Sequence, residues 1–150
     1  MLDLRRHPDP EVRQAVACCI ELRKHSHAVP ALIKLMEDEN EIVRDWATFA
    51  IGSEDFMEDV IFDSPEIRAA FRSRLDDPYE EARREALWGL ARRKDPVGLK
   101  LLLGELESEE WWSGDEDTAQ ELLSAERDTP VDELCRGLRR LLEQASPRMN

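Results

Sequence analysis

The hydrophobic positions of this chain recur in three blocks of similar sequence. The segments EVRQAVACCI, IVRDWATFAI and EARREALWGL align on an arginine, at positions 13, 44 and 83. Three and seven residues after each arginine stands a small or apolar residue, and six residues after it stands a small one. Positions separated by three or four residues share one face of a helix. Each block therefore predicts a helix with the same buried stripe, whose small residue lets the backbone of a neighbouring helix come close.

Prolines indicate where helices begin. In Asp9-Pro10, the aspartate side chain can accept hydrogen bonds from the first amides of a helix, and the proline suits the first helical position. A second apolar pattern of helical period follows each block, so each block and its successor predict one antiparallel helix pair. The same pairing of a capping residue with proline recurs at four further places: Ser64-Pro65, Asp77-Pro78, Asp95-Pro96 and Thr129-Pro130.

These patterns predict an all-α fold, an α-α superhelix or right-handed solenoid of about four antiparallel helix pairs. Residues 1–150 are expected to form a single domain, with regular repeats over about 7–106 and an acidic, tryptophan-containing connection over 107–116. Helices near 118–127 and 131–145 are expected to form a capping pair over about 117–145, because an array needs a terminal unit with a polar outer face. Residues 2–7 look like the tail of a helix, which predicts a truncated or reassigned start at Met1.

Aspartates stand at a fixed distance before two of the arginines. Asp38 lies six residues before Arg44, and Asp77 six residues before Arg83, so each acid can meet its arginine across a turn. In this respect the chain resembles a HEAT-repeat protein of the short, PBS-lyase-like kind. The resemblance covers about 7–106 well and 117–145 loosely, and it implies that these residues form a structural ladder along the stack. His7 occupies the aspartate position of the first repeat, so a full ladder is not expected there.

The charge balance narrows the classes of partner. The chain has 34 acidic and 21 basic residues and a net charge of −13. Such a charge disfavours nucleic acid and anionic membrane as partners, because both attract positive protein surface. No apolar run of about 18 residues is present, and the first residues lack the apolar core of a secretion signal. Three cysteines, two of them adjacent, form a poor disulfide framework, so we expect a cytoplasmic protein and favour a monomer.

Residues that carry out catalysis or bind cofactors are not evident. His25 and His27 have no third ligand at helical spacing, and Cys18 and Cys19 are interpreted as packing residues within a helix. Trp46 is likewise expected to pack between repeats. We find no phosphate-binding loop and no catalytic constellation, so we expect no enzyme activity, no metal and no cofactor.

The acidic charge is concentrated in two segments. Residues 53–66 contain six acids and residues 105–121 contain eight, and neither segment contains Lys or Arg. The rest of the chain has 20 acids, 34 less these 14, and 21 bases, so its charge is nearly balanced. Aromatic side chains are enriched at binding surfaces, and both segments contain them, so we predict a partner-binding role; the alternative is that these side chains fold back to plug the core. The predicted residues are Trp111, Trp112, Asp55, Phe56, Met57, Glu58 and Asp59.

A modest basic stripe is the second predicted surface. It consists of Lys34, Arg68, Arg72 and Lys100, which belong to the second helices of successive pairs. In HEAT-like proteins these helices line the concave side, so the resemblance implies a concave basic stripe. Ordinary solvated positions are the alternative interpretation.

Together these observations predict a non-catalytic protein–protein interaction or scaffold module. Its curved helical surface and acidic aromatic loops favour a basic protein as the partner, attracted electrostatically. The resemblance leaves alternatives open, because HEAT-like proteins include bilin lyases and alkylpurine DNA glycosylases. An enzyme or nucleic-acid-binding protein on the same scaffold, or a fragment of a longer repeat protein, therefore remains an alternative hypothesis.

Overall fold

The computed structural model describes residues 2–20, 26–52, 61–108 and 110–145, and all regular secondary structure in these ranges is helical. The prediction of an all-α fold is thus confirmed. Two short 3-10 helices span Leu2–Arg6 and Ser26–Ala28. The α-helices are α1 (Pro10–Cys19), α2 (Val29–Leu35), α3 (Glu41–Gly52), α4 (Pro65–Arg74), α5 (Glu80–Arg92), α6 (Pro96–Glu107), α7 (Ser113–Leu123) and α8 (Val131–Ala145).

The chain forms two compact units, residues 1–89 and residues 90–150. We call them the N-terminal unit and the C-terminal unit. In the N-terminal unit α1 and α2 both pack against α3, and the first 3-10 helix packs against α1 and α2. In the C-terminal unit α6 packs against α7 and α8, which also pack against each other. That one domain spans residues 1–150 stays a prediction.

The apolar stripe predicted from the three blocks lies in the core. Val16, Ala47 and Ala86, three residues beyond each arginine, are at most 2% exposed. Ile20, Ile51 and Leu90, seven residues beyond, are also buried. Burial of such side chains supplies the main favourable free energy of folding, so the recurring stripe explains why the same helix forms three times.

The small residue six positions after each arginine is not buried in every block. Cys19 is exposed and Gly89 is buried. A Cβ atom built on Gly89 would lie 2.5 Å from Cε1 of Phe71, and one built on Gly52 of α3 would lie 3.7 Å from the Gly89 Cα, so an aromatic ring and a helix backbone both come close to Gly89. The packing role expected for Cys18 and Cys19 is wrong, because α1 ends at Cys19 and both thiols lie off the face that contains Val16 and Ile20.

The capping positions were largely predictable. The carboxylates of Asp9 and Asp95 accept from the amides of Glu11 and Val97 at 2.9 and 3.0 Å, with proline at the first helical position. The Ser64 hydroxyl accepts from the Ile67 amide at 3.2 Å. One expected start is shifted, because α5 begins at Glu80, beyond Asp77-Pro78, whereas α8 spans Val131–Ala145 as expected.

Buried arginine–aspartate pairs connect the turns of the N-terminal unit. Arg44 donates from Nε and Nη2 to the two carboxylate oxygens of Asp77 at 2.8 and 2.9 Å. Its Nη1 donates to the backbone carbonyl of Asp38 at 2.9 Å. The planar guanidinium presents donors on separate edges, so it can hold a carboxylate bidentately and a carbonyl at the same time.

Arg13 repeats this arrangement one turn earlier. It donates to both carboxylate oxygens of Asp38 at 2.7 and 2.8 Å and to the carbonyl of His7 at 2.8 Å. The carboxylate of Asp38 therefore binds Arg13, 25 residues before it, and not Arg44 as the sequence spacing suggested. Arg83 likewise donates to the carbonyl of Asp77 at 2.6 Å. His7 does not interrupt the series, because the contact uses its main chain.

The Asp77 carboxylate is the most enclosed member of this series. Its side chain is fully buried, that of Arg44 is 10% exposed, and Arg74 donates a further hydrogen bond at 3.0 Å. Burial acts to raise the pKa of Asp77, but the hydrogen bonds from Arg44 and the Tyr79 amide lower it below its ordinary value. A lowered carboxyl pKa adds stability above the unfolded-state pKa, and this stability is lost as the pH falls through the folded-state value.

The pKa of Asp45 is shifted in the opposite direction to that of Asp77. Asp45 on α3 has its pKa raised to about 6 by burial and by the negative charges of Glu81 and Asp77. Its proton is therefore held more tightly in the folded chain than in the unfolded chain, where an aspartate pKa is about 3.9. The ionised form destabilises the fold above about pH 6, and this cost disappears as the pH falls towards 4.

We predict that Gly98→Ala destabilises the protein by about 2 kcal/mol, because overpacking forces backbone shifts. A Cβ atom at this position would lie 2.5 Å from the Ala91 backbone nitrogen. Gly104→Ala on the same helix is the matched control: a Cβ atom there meets nothing within 4 Å, and higher helix propensity adds up to about 1 kcal/mol. Urea unfolding compares the two variants. A Gly98→Ala variant as stable as the wild type contradicts the close packing.

We predict that Asp45→Asn stabilises the protein by about 2 kcal/mol at pH 8, because it removes an ionised carboxylate from a partly buried, acidic site. Urea unfolding as a function of pH measures the effect, which should fade to about zero near pH 4. Asp117→Asn, at an exposed position of α7, removes the same charge and controls for the net charge. Lower stability of Asp45→Asn at pH 8 would show that Asp45 has a favourable partner.

Candidate interaction surfaces

The two adjacent tryptophans lie at the start of α7, earlier than predicted. Helix α7 begins at Ser113, whereas the sequence pattern placed a helix near 118–127. The Trp112 amide donates to Oδ2 of Asp115 at 2.8 Å, and this fully buried carboxylate fixes the start of the helix. One of the eight acids in this segment is thus a structural cap. The connection predicted over 107–116 therefore ends earlier, and Gly114 lies in the first turn of α7.

The two indoles have different surroundings. Trp112 is 42% exposed, the largest exposed aromatic side chain in the described residues. Trp111 is partly buried, and it lines an open groove of about 710 Å³ between α6 and α8, which we call the tryptophan groove. Buried Leu106 and Cys135 form its floor. The two indoles therefore place one aromatic ring in the wall of a groove and the next in solvent.

Charged side chains surround the tryptophan groove. Glu107 and Asp132 contribute carboxylates, and Arg136 and Arg139 contribute cations. Arg139 donates from Nη2 to Glu107. Burial raises the pKa of the Cys135 thiol, and the negative charge of Glu107 adds to this. A thiol with a raised pKa is a weak nucleophile at neutral pH, so Cys135 is not activated for covalent chemistry.

The other acidic aromatic segment, residues 53–66, is described only from Ile61 onwards. Asp55, Phe56, Met57, Glu58 and Asp59 lie outside the described residues. At its edge, Ile61 is 45% exposed. The role predicted for these five residues stays a prediction.

The predicted basic stripe is partly neutralised by neighbouring acids. Arg68 donates to both oxygens of Asp63 at 2.8 and 2.6 Å, and Lys34 donates to Glu37 at 2.6 Å. Arg72 on α4 is exposed, as is Lys100 on α6 of the C-terminal unit. The N-terminal unit therefore presents two of these cations already engaged with carboxylates, which reduces the attraction that this surface exerts on an anionic partner.

An exposed aromatic pair was not predicted. Trp46 and Phe49 on α3 meet edge to face, with ring centroids 5.6 Å apart and planes at 80°. Phe49 is 40% exposed and Trp46 is half-buried, so Trp46 contributes less to the core than expected. The three-residue spacing of the two rings on a helix was the available signal.

The described ranges contain neither a metal-binding cluster nor a helix that could span a membrane. There, no group of three or more His, Cys, Asp or Glu side chains is arranged to hold a metal ion. No helix in the same ranges is long and apolar enough to cross a membrane. The three cysteines are free, with Cys18 and Cys19 exposed and Cys135 buried.

Comparison with known proteins agrees with this architecture. Residues 1–61 match the family model described as HEAT repeats. Protein YibA from Escherichia coli strain K12 and its counterpart from strain O157:H7 are each 40% identical to the chain over 95 residues, 63% of this chain and 32% of the relative. The chain thus spans about a third of the length of these curated relatives.

A solved structure extends the similarity to nearly the whole chain. The X-ray structure of E. coli YibA matches with a TM-score of 0.66 and 29% sequence identity, over 94% of this chain and 52% of that one. The arginine-centred blocks, the helix pairs and the family match lead to one conclusion. Residues 1–61 match HEAT repeats, and the chain has an all-helical repeat fold similar to that of YibA.

Proposed function

We propose that this chain is a non-catalytic module that binds another protein, and that the C-terminal unit contributes the tryptophan groove and Trp112 to the contact. The observation that supports this most is the 42% exposure of Trp112 directly beside an open groove lined by Trp111. Tryptophan is enriched among the residues that dominate binding energy. A half-covered indole with an apolar floor beside it provides an anchor for a partner side chain.

The charge around this surface favours a basic partner. Glu107, Glu110, Asp117 and Glu121 are exposed within the acidic segment, and the whole chain has a net charge of −13. Arg92 donates to Glu121 at 3.1 Å and Arg139 donates to Glu107, so two of these acids are already paired. The remaining negative charge raises the association rate of a positively charged protein and disfavours an acidic one.

We further propose that the module acts in the cytoplasm. Three free cysteines support this proposal, and two of them are adjacent and exposed. Such thiols persist in a reducing compartment, whereas an oxidising one favours disulfides.

Site-specific photo-crosslinking tests the proposal. With p-benzoylphenylalanine in place of Trp112, we expect crosslinks in the source cell to a discrete basic protein. The yield in lysate should fall steeply at about 0.5 M salt, where the screening length shrinks to about 4 Å. Mass spectrometry of the crosslinked species identifies the partner.

The control position is Val97 in the same unit, whose exposure of 41% matches that of Trp112. We expect the crosslinker at Val97 to capture none of the proteins captured at Trp112. Equal capture from both positions, or an adduct removed by nuclease, contradicts the proposed surface.

A further inference from the structure

A second groove lies in the N-terminal unit, and we call it the arginine groove. It has a volume of about 600 Å³ and lies between the first 3-10 helix and α2. Arg5 and Arg6 line it from the 3-10 helix, His27 from the turn before α2, and Lys34 from α2 itself. These residues lie at least 20 positions apart in the two sequence segments, so the fold alone brings them together.

The charge of this groove is opposite to that of the chain. Among the described residues that line it, three side chains are cationic and one, that of Asp38, is a carboxylate. Arg13 holds this carboxylate bidentately at 2.7 and 2.8 Å, and the Asp38 side chain is only 9% exposed. The accessible charge is therefore positive, within a protein whose net charge is −13. Clefts lined by one sign of charge concentrate ligands of the opposite sign.

Lys34 is available to an incoming acid. It donates to Glu37 at 2.6 Å, with side-chain exposures of 75% and 57%. An exposed ion pair of this kind contributes about 0–1 kcal/mol. A carboxylate of a ligand can therefore replace Glu37 at little cost.

The uncharged part of the lining indicates the kind of anion. Pro30, Ala31 and Leu35 give the groove an apolar strip beside its cations. The described part of the lining contains no aromatic side chain, and thus no stacking platform of the kind that single-stranded nucleic acids use. Long-range repulsion by the net charge of −13 also opposes an extended polyanion more than a short acidic segment.

We propose that the arginine groove binds an acidic peptide segment of a partner protein. Carboxylates of the segment pair with Arg6 and Lys34, and an apolar side chain between them contacts Pro30 and Ala31. This site differs in location and in charge preference from the tryptophan groove, so it stands or falls independently of the function proposed above.

Fluorescence anisotropy with a defined probe tests this inference. The probe is a short fluorescein-labelled peptide of Glu and Leu, added to the full chain at low salt. We expect saturable binding that weakens as salt is added. In the variant Arg6→Glu/Lys34→Glu the affinity should fall about tenfold or more, because two surface ion pairs become repulsive.

The matched control is Arg127→Glu/Arg140→Glu, which changes the net charge by the same amount at exposed positions of the C-terminal unit. It should bind the probe within about twofold of the wild type, a difference of about 0.4 kcal/mol. Arg6→Gln/Lys34→Gln, with unchanged thermal unfolding, should show an intermediate loss.

Three results overturn the inference. They are no saturable binding by the wild type, an equal loss in the matched control, and displacement of the peptide by a single-stranded oligonucleotide that binds more tightly than the peptide. The first two results would mean that any attraction of the peptide comes from the overall charge of the protein. The third would mean that the groove prefers a nucleic acid to a peptide.

Discussion

The buried contact between Arg44 and Asp77 is the interaction on which the N-terminal unit depends. One guanidinium binds the carbonyl of Asp38 in one turn and the carboxylate of Asp77 in the next. Taking both charges out of water is costly, and removing one partner leaves the other buried and uncompensated. The pair therefore favours one distance between α3 and the turn that joins α4 to α5, the distance at which both hydrogen bonds form. Arg13 and Asp38 apply the same constraint one turn earlier.

This constraint also positions the candidate surfaces of the N-terminal unit. Asp38 lies three residues after the end of α2, so its attachment to Arg13 fixes the end of the helix that carries Lys34 and lines the arginine groove. Of the described residues that line that groove, the one carboxylate is the group that Arg13 holds. A residue of the structural ladder thus determines the sign of the charge at a surface pocket, because its own charge is already satisfied.

Much of the fold could be predicted from periodicity because burial repeats with the helix. Val16, Ala47 and Ala86 occupy equivalent positions and are all buried. The partner of Asp38 could not be predicted in this way, since the spacing of six residues suggested Arg44 while the bound arginine lies 25 residues earlier. Arg44 instead uses the Asp38 main chain, which no side-chain pattern reveals. The early start of α7 was missed for a similar reason: it depends on Asp115 bonding back to a backbone amide.

The candidate sites were less predictable than the fold. Trp111 and Trp112 are adjacent in sequence, yet one lines a groove and the other is exposed, because their exposure depends on the packing of α6 against α8. The arginine groove was missed altogether, since Arg6 and Lys34 belong to separate segments that carry no shared motif. Charge counts located the acidic segments, but they could not show which cations the acids already engage.

A double-mutant cycle on Arg44 and Asp77 tests the central claim most directly. Free energies of unfolding in urea are measured for Arg44→Ala, Asp77→Ala and the double variant at neutral pH. The account predicts that each single variant loses about 3 kcal/mol and that the double variant loses much less than the sum, with a coupling of about 2 kcal/mol or more. Additive losses, with a coupling below about 0.5 kcal/mol, would show that the two side chains stabilise the fold independently.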